Sequence, residues 1–264
     1  MPDDFFASLW DACESVFKVT CAATLCWPGI CSSTALSVGE EGSIRKIIAS
    51  NGGYLPRKGF FSDKPPKWRS VSTLAAGNTA LHQVGGVFTS NVYLVSLCAA
   101  LGSVPGNVGI ASDAAGGSGS FFKAVKQIKS PRLFVAGILF EWARELLYNK
   151  WCLNGKKNLK QYDLTEEEEL LASTVSATGA GAATGLPNAA ASRCYVSAMH
   201  PSRALLPSLK QVRMLLLSLP VRGATLGLLF SIINWGEYGV RRTRGFFESL
   251  ESQDENTSDN KLDL

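Results

Sequence analysis

The sequence predicts an all-α membrane protein with six transmembrane helices, arranged as three pseudo-repeats that each include a short surface helix. Three observations support this prediction. The chain of 264 residues is 46% apolar and only 18% charged, it contains long uncharged runs, and three prolines recur in it at nearly equal spacing. A bundle that lines a polar cavity fits this composition, because part of each helix then faces water instead of lipid.

The uncharged runs give the positions of the predicted spans. Asp, Glu, Lys and Arg are all absent from three runs: 19–39, 71–112 and 170–192. A span needs about 20 mostly apolar residues, so the run 71–112 predicts two spans joined by a tight turn at the glycines of "HQVGGV" (82–87). Apolar segments around 131–147 and 214–236 complete the set of six. A soluble helical protein with a core rich in Gly and Ala is the alternative.

The charge is distributed unevenly along the chain, whose formal net charge is +4. The end 248–264 holds six acidic residues and one lysine, which predicts a solvated, disordered tail. The basic excess of the remainder suits an anionic membrane surface. No nucleic-acid partner is expected, because Lys and Arg are dispersed. The acidic start of the chain matches neither a secretory signal nor a cleavable transit peptide.

No group of residues suggests an enzyme. His82 and His200 are too few for a histidine-based metal site, and the seven cysteines include no CxxC pair, so we expect no metal and no cofactor. The stretch "GAGAATG" (179–185) lacks the Lys-Ser/Thr of a phosphate loop, and small residues at this spacing let helices pack closely in lipid. The acids 166–169 after Thr165 predict an ordinary N-capped helix start.

An internal repeat organises the chain. Three prolines lie in uncharged runs at separations of 77 and 82 residues: Pro28, Pro105 and Pro187. A serine follows each proline after 15 residues, giving Ser43, Ser120 and Ser202. Because serine is a good N-cap and the stretches after it mix apolar and basic residues, each unit should contain a helix along the membrane surface. A proline inside a lipid-embedded helix kinks it, so the first span of each unit should be kinked.

A second apolar helix follows each predicted surface helix. Each of these helices begins near an arginine: Arg69, Arg132 and Arg222. The units together predict three repeats and a tail: 1–82, 83–160, 161–247 and the acidic tail 248–264.

On these features the chain resembles the mitochondrial carrier family over about residues 5–245. That family has three repeats of this length, each with a proline-kinked odd helix, a matrix surface helix and an even helix. Its even helices carry an aromatic, an acid, two variable residues and a base. "FEWAR" (140–144) matches this motif fully, and "NWGEYGVRR" matches it loosely through Trp235, Glu237 and Arg241. "IIASNGGYLPRKGF" (47–60) is similar to the family's stretch after the matrix helix.

The resemblance implies roles for several residues. The implied gate ion pairs, which would close the cavity on its cytoplasmic side, involve Glu141, Arg144, Glu237 and Arg241. Without the resemblance, Glu141 and Arg144 would simply anchor a helix end at the headgroups. The candidates for substrate contact in the cavity are Arg69, Arg132 and Arg222. The candidates for binding cardiolipin are Ser43, Ser120, Ser202, Arg57 and Lys58, because helix N-termini attract phosphate.

The chain also departs from the family's pattern. In the family an acid follows each kinking proline at +2 and a base at +5, and these charges form the matrix-side gate. Here those positions hold Ile30 and Ser33, Asn107 and Ile110, and Ala189 and Ser192. A two-gate exchanger needs both charge networks in order to alternate, so this departure argues against transport.

These observations lead to three hypotheses about function. The missing gate charges favour a non-transporting structural or accessory subunit of a larger respiratory or ATP synthase complex in the mitochondrial inner membrane, with membrane lipid and other subunits as partners. The retained "FEWAR" favours an active carrier of a small metabolite. The third is a Tim17/Tim22/Tim23-like translocase or complex I-type subunit. The stretches 116–129 and 227–242 resemble that family, which has four spans and covers less of the chain.

Overall fold

A computed structural model gives the fold and describes residues 2–39, 47, 67–159 and 161–259. Within these ranges the regular structure is helical and no strand occurs, so the all-α prediction is confirmed for the described residues. The helices are α1 Pro2–Leu25, α2 Trp27–Val38, α3 Lys67–Phe88, α4 Val92–Ala114, α5 Phe121–Val125, α6 Pro131–Leu159, α7 Glu166–Ala183, α8 Gly185–Met199 and α9 Leu209–Asp259.

Two of these helices are long and apolar enough to cross a membrane, namely α4 and the segment Leu209–Arg244 of α9. The segments Leu9–Leu25 of α1 and Trp27–Val38 of α2 form a third candidate if they count as one span, bent by 68° at the break between them. The described part of the chain therefore contains two or three candidate spans. This is the composition of a membrane-compatible helical protein.

The helices pack as a ring of six rods. We treat α1 with α2 as the first rod, α3 as the second, α4 as the third, α6 as the fourth, α7 with α8 as the fifth and α9 as the sixth. Each rod packs against the next one along the chain, and the sixth returns to the first. The third rod, α4, and the later helices of the first and fifth rods, α2 and α8, also contact one another. One end of the ring, here called the convergent end, is therefore closed by these three helices.

The prolines divide two of the three odd rods. Pro28 lies in the first turn of α2, directly after the break that follows Leu25, and Pro187 lies in the first turn of α8. Proline is favoured there, because the first N–H groups of a helix need no intrahelical acceptor. Pro105 instead lies inside the unbroken helix α4. Gly102 and Gly106, on either side of Pro105, both lie in close contact with α3. These contacts hold the two halves of α4 against α3.

The tight turn predicted at 82–87 is wrong. Helix α3 continues through those residues to Phe88, so the predicted boundary between 82 and 83 falls inside a helix. The chain turns immediately afterwards, and the side chain of Asn91 accepts a hydrogen bond of 2.9 Å from the backbone N–H of Tyr93. This N-cap starts α4 without a glycine. Gly85 of α3 packs against α4, where a Cβ added at Gly85 would lie 3.1 Å from the Cβ of Cys98.

The predicted surface helices are found only in part. Ser120 is the N-cap residue of α5, which has five residues. The helix predicted after Ser202 is wrong, because the chain forms turns there and α9 begins only at Leu209. Pro207 disfavours a helical conformation of the residue before it. The third predicted helix start, Ser43, and the lipid candidates Arg57 and Lys58 lie outside the described residues.

Two capping boxes start α7 and α9. Thr165 Oγ1 accepts from the Glu168 backbone N–H while a carboxylate oxygen of Glu168 accepts from Thr165 N at 2.9 Å, so the predicted helix start is confirmed. The N–H and hydroxyl of Thr165 hold the pKa of the Glu168 carboxyl below its ordinary value. Ser208 and Gln211 exchange the equivalent bonds, at 3.1 and 3.4 Å.

At its other end α9 runs to Asp259. The described part of the acidic tail is therefore helical, where the sequence predicts disorder.

Glycines let neighbouring rods approach to backbone contact. Gly102 of α4 faces Gly77 of α3 so closely that a Cβ added at Gly102 would lie 2.0 Å from the Gly77 carbonyl oxygen. On α7, a Cβ at Gly181 would lie 3.0 Å from the Cα of Gly223 on α9. The packing role predicted for 179–185 is therefore confirmed at Gly181. In lipid, apolar side chains gain nothing by leaving the solvent, so close van der Waals packing of this kind drives helix association instead.

Large apolar side chains cover much of the outer surface of the ring. Examples with at least half of their area exposed are Val87, Phe88, Leu139, Leu171, Val175 and Leu228. An apolar surface of this extent indicates contact with lipid or with another protein.

Gly102→Ala is expected to destabilise the bundle by about 1–3 kcal/mol or more, because the new methyl group meets backbone on α3 and the two helices must separate. Gly86→Ala is the matched control, since nothing lies within 4 Å of a Cβ at that position. The control should be neutral or should stabilise by about 0.5–1 kcal/mol, as for Gly→Ala in an open helical position. Unfolding in mixed micelles, followed by circular dichroism, measures both. Equal effects of the two substitutions would contradict the backbone contact.

Candidate functional site: a buried ionic cluster

The charged residues of "FEWAR" lie in the interior of a helix and not at its end. Helix α6 begins at Pro131, so Glu141 is about 15 Å along the helix axis from its start. A further stretch of about 22 Å separates Arg144 from the last residue, Leu159. Glu141 is 1% exposed and Arg144 is 4% exposed. The headgroup-anchor alternative for these two residues does not fit this placement.

Arg144 forms ion pairs with two carboxylates of its own helix. Its Nη1 atom lies 2.5 Å from Glu141 Oε2, and its Nε atom lies 3.0 Å from Glu145 Oε1, which Nη2 also contacts. Glu141 lies three positions before Arg144 and four before Glu145, so it shares a helix face with each of them. Glu145 is buried as well. The motif search missed it, although its spacing of four from Glu141 was a usable signal.

Arg144 also bonds to the third and fifth rods. Ser103 Oγ on α4 accepts from Arg144 Nη2 at 3.1 Å, and Asn188 Oδ1 on α8 accepts from Arg144 Nη1 at 3.0 Å. Ser103 lies two residues before Pro105, and Asn188 directly follows Pro187. The guanidinium therefore connects three rods at the level of these prolines.

Arg222 of α9 supplies the fourth charge. It interacts electrostatically with Glu141, Glu145 and Arg144, and its Nε atom is buried without a hydrogen-bond partner among the described residues. We use the name central cluster for Glu141, Arg144, Glu145 and Arg222 with Ser103 and Asn188. Its two carboxylates and two guanidiniums cancel in formal charge. Neutrality is required here, because an uncompensated buried charge costs several kcal/mol or more.

The other two arginines proposed for substrate contact do not reach this cluster. Arg69 is exposed, and its guanidinium lies 5.8 Å from the centre of the neighbouring Trp68 ring. Arg132 is also exposed. Only Arg222 of the three predicted cavity residues therefore belongs to the central cluster.

Glu237 and Arg241 form ion pairs elsewhere on α9. Glu237 Oε1 lies 2.8 Å from Lys18 Nζ on α1, and Arg241 Nη2 lies 2.8 Å from Glu166 Oε1 on α7. Both pairs join neighbouring rods, as the carrier resemblance implies for gate pairs. Both are solvent-exposed, so each contributes only about 0–1 kcal/mol to stability.

The convergent end of the ring holds uncharged residues where the family carries gate charges. Ser33, Asn107, Ile110, Ala189 and Ser192 are all buried there. Ser33 and Ser192 donate to carbonyls of their own helices, at 2.9 and 3.0 Å. The two serine hydroxyls are thus satisfied without a charged partner, whereas Asn107 Nδ2 is buried without a hydrogen-bond partner among the described residues. The small side chains of Ser33, Ala189 and Ser192 allow the three helices to converge.

One basic residue, Arg193, does occur at this end. It lies one residue beyond the position at which the family motif has its base. Arg193 follows Pro187 by six residues and is 5% exposed. Its Nε atom donates to the Ser37 carbonyl oxygen of α2 at 2.9 Å and so links the fifth rod to the first. The motif places its base five residues after the proline, so Arg193, at six residues, was not among the predicted site residues.

No protein-family model matches the chain, and neither a curated protein nor a solved structure matches it. Within the described residues, no group of three or more His, Cys, Asp or Glu side chains could hold a metal ion. The central cluster is the largest concentration of buried charge in the described part of the chain. Its hydrogen bonds tie the third, fourth and fifth rods together, and Arg222 of the sixth rod interacts with it electrostatically.

Arg144→Met should destabilise the bundle by about 3–5 kcal/mol, because it leaves two buried carboxylates without their partner. Arg241→Met removes an exposed ion pair of similar length and should cost less than about 1 kcal/mol. Unfolding of the purified proteins in mixed micelles gives both values. A second substitution, Glu145→Gln, should restore part of the stability lost in Arg144→Met, since it removes one unpaired charge. Similar losses in Arg144→Met and Arg241→Met would show that the central cluster is hydrated and not buried.

Proposed function

We propose that this chain is a divergent, carrier-like protein of the mitochondrial inner membrane that does not transport. In this proposal the six rods are six membrane spans, and the three pairs of rods are the three pseudo-repeats. The protein acts as a structural or accessory subunit of a larger respiratory or ATP synthase complex. Anionic lipid such as cardiolipin is its proposed lipid partner.

The observation that carries the proposal is the position of the ion pairs of Arg144. A gate pair must join two helices and separate when they move. Glu141, Arg144 and Glu145 lie within about one turn of α6, so their pairing does not change when the rods shift relative to one another. The bonds from Arg144 to Ser103 and Asn188 oppose such a shift. A cluster of this kind holds a bundle together.

The convergent end supports the same proposal. An alternating carrier exchanges one charge network for another as it opens and closes. The buried residues at the convergent end are neutral at every motif position, and the one base, Arg193, bonds to carbonyl and amide oxygens. No second network is therefore available among the described residues to offset the opening of the first.

A second candidate function, an active carrier of a small metabolite, is favoured by the depth of the central cluster. Ionisable side chains in the middle of membrane helices are typical of substrate and proton pathways. If the protein were such a carrier, Arg222 would be the first substrate contact to test, because its Nε atom lacks a hydrogen-bond partner among the described residues.

The accessory role is tested by gentle solubilisation of native membranes, followed by blue-native electrophoresis and mass spectrometry of the band that contains the chain. We expect the chain to migrate with a large complex and to fractionate with the inner membrane. Digitonin and a harsher detergent should be compared, because a bound subunit survives the first and is released by the second. Migration as a small free species in digitonin would contradict the accessory role.

Transport is tested by reconstituting the purified chain into liposomes loaded with mixed phosphates, nucleotides, amino acids and carboxylates. We expect exchange no faster than in protein-free liposomes. The matched controls are Arg222→Gln in the central cluster and Arg69→Gln on the exposed surface. Exchange that is lost in Arg222→Gln and retained in Arg69→Gln would establish the carrier function and exclude the proposal.

A further inference from the structure

A cavity of about 540 Å³ opens at the convergent end of the ring. It lies between the C-terminal ends of α2, α4 and α8 and is completed by the loop before α9. Two arginines, Arg193 and Arg203, line it together with Gln211, and no acidic residue occurs among the described lining residues. Val38 and Val196 contribute apolar wall. Cavities of about 300–1,000 Å³ are typical of small-molecule sites.

Arg193 has no carboxylate partner among the described residues, although it is 5% exposed. Its guanidinium donates to the Ser37 carbonyl oxygen at 2.9 Å, to the Leu205 carbonyl oxygen at 3.4 Å and to Gln211 Oε1 at 3.3 Å. A guanidinium has five N–H donors, so these three bonds leave two donors unused. A buried cation that bonds only to neutral oxygens retains its full charge beside the cavity.

Arg203 brings a second positive charge to the cavity mouth. It is exposed, and its Nη2 atom makes one long hydrogen bond of 3.4 Å to the Ala115 carbonyl oxygen. Three helix C-termini surround the cavity, and each carries roughly half a negative charge. Together they offset only part of the two guanidiniums, and Gln211 adds a neutral amide. The cavity therefore favours a negatively charged occupant.

We propose that this cavity binds a small anion, a phosphate or carboxylate group, between Arg193 and Arg203. Guanidinium groups bind both anions through paired, charge-assisted hydrogen bonds. The valine walls suit a ligand with an apolar portion next to its anionic group. The group belongs either to a soluble metabolite or to a lipid headgroup, and this site is independent of the accessory role proposed above.

The test uses the full chain, purified in neutral detergent and freed of anionic lipid. Inorganic phosphate and malonate are titrated at constant ionic strength, with the unfolding temperature and the heat of binding as readouts. We expect saturable binding that Arg203→Gln weakens by about tenfold or more, the loss expected for charge-assisted bonds. Arg132→Gln is the matched control, because Arg132 is exposed and does not line the cavity. It should leave the affinity unchanged.

A second arm distinguishes the two sources of the anion. The chain is placed in nanodiscs of phosphatidylcholine with or without phosphatidylglycerol, and native mass spectrometry counts the lipids that remain bound. Retention of phosphatidylglycerol by the wild type and its loss in Arg203→Gln would assign the site to lipid. Binding of phosphate or malonate alone would assign it to a soluble anion. Arg193→Lys, which keeps the charge but loses the paired donors, should weaken whichever ligand binds.

The proposal is overturned if phosphate, malonate and phosphatidylglycerol all fail to bind saturably to the wild type. Equal weakening by Arg203→Gln and Arg132→Gln would also overturn it, because general surface charge would then explain the binding. Circular dichroism of each variant confirms the helical fold before binding is measured. Arg203 is exposed, so its replacement leaves the packing of the convergent end intact even if the Arg193 variant unfolds.

Discussion

The guanidinium of Arg144 is the interaction on which the rest of the bundle depends. It is buried where three rods meet, and its charge is tolerable because Glu141 and Glu145 of the same helix pair with it. Arg222 interacts electrostatically with both carboxylates, so the formal charges of the cluster cancel. The remaining donors of Arg144 reach Ser103 and Asn188, and this fixes α4 and α8 against α6. The relative positions of these rods at the centre of the ring thus depend on the hydrogen bonds of one charged side chain.

The two ends of the ring use different physical means to bring rods together. At one end, exposed ion pairs connect α9 to α1 and to α7, where water screens them. At the convergent end, small side chains allow α2, α4 and α8 to meet, and Arg193 bonds to a carbonyl across the contact. Between the ends, glycines such as Gly77 and Gly102 permit backbone contact. The convergent end consequently combines close packing with a cavity and a buried cation, Arg193, that has no carboxylate partner among the described residues.

Sequence reasoning succeeded where the structure is set by local chemistry. The N-cap at Thr165, the interruption of the fifth rod near Pro187, where a kink was predicted, and the close packing at Gly181 follow from caps, missing N–H groups and missing Cβ atoms. It failed at 82–87, where two glycines suggested a turn. Both glycines instead remain helical, and Gly85 serves the contact of α3 with α4. Ser202 was judged by its spacing from a proline, but Pro207 and the Ser208–Gln211 capping box decide where α9 begins.

By itself the sequence determined that the described residues are helical, that helices begin near Arg69, Ser120, Arg132 and Thr165, and that charge is absent from the expected gate positions, because these properties depend on residues close together in the chain. The helix expected to begin near Arg222 instead starts at Leu209. The tertiary structure decided which charges meet. Glu141 and Arg144 were visible as one motif and Arg222 as a separate residue, yet their meeting depends on the depth of α6 in the ring and on the position of α9 beside it. Arg193 and Arg203 form one cavity for the same reason. The spacing of residues along a chain does not give the distance between helices that packing brings together.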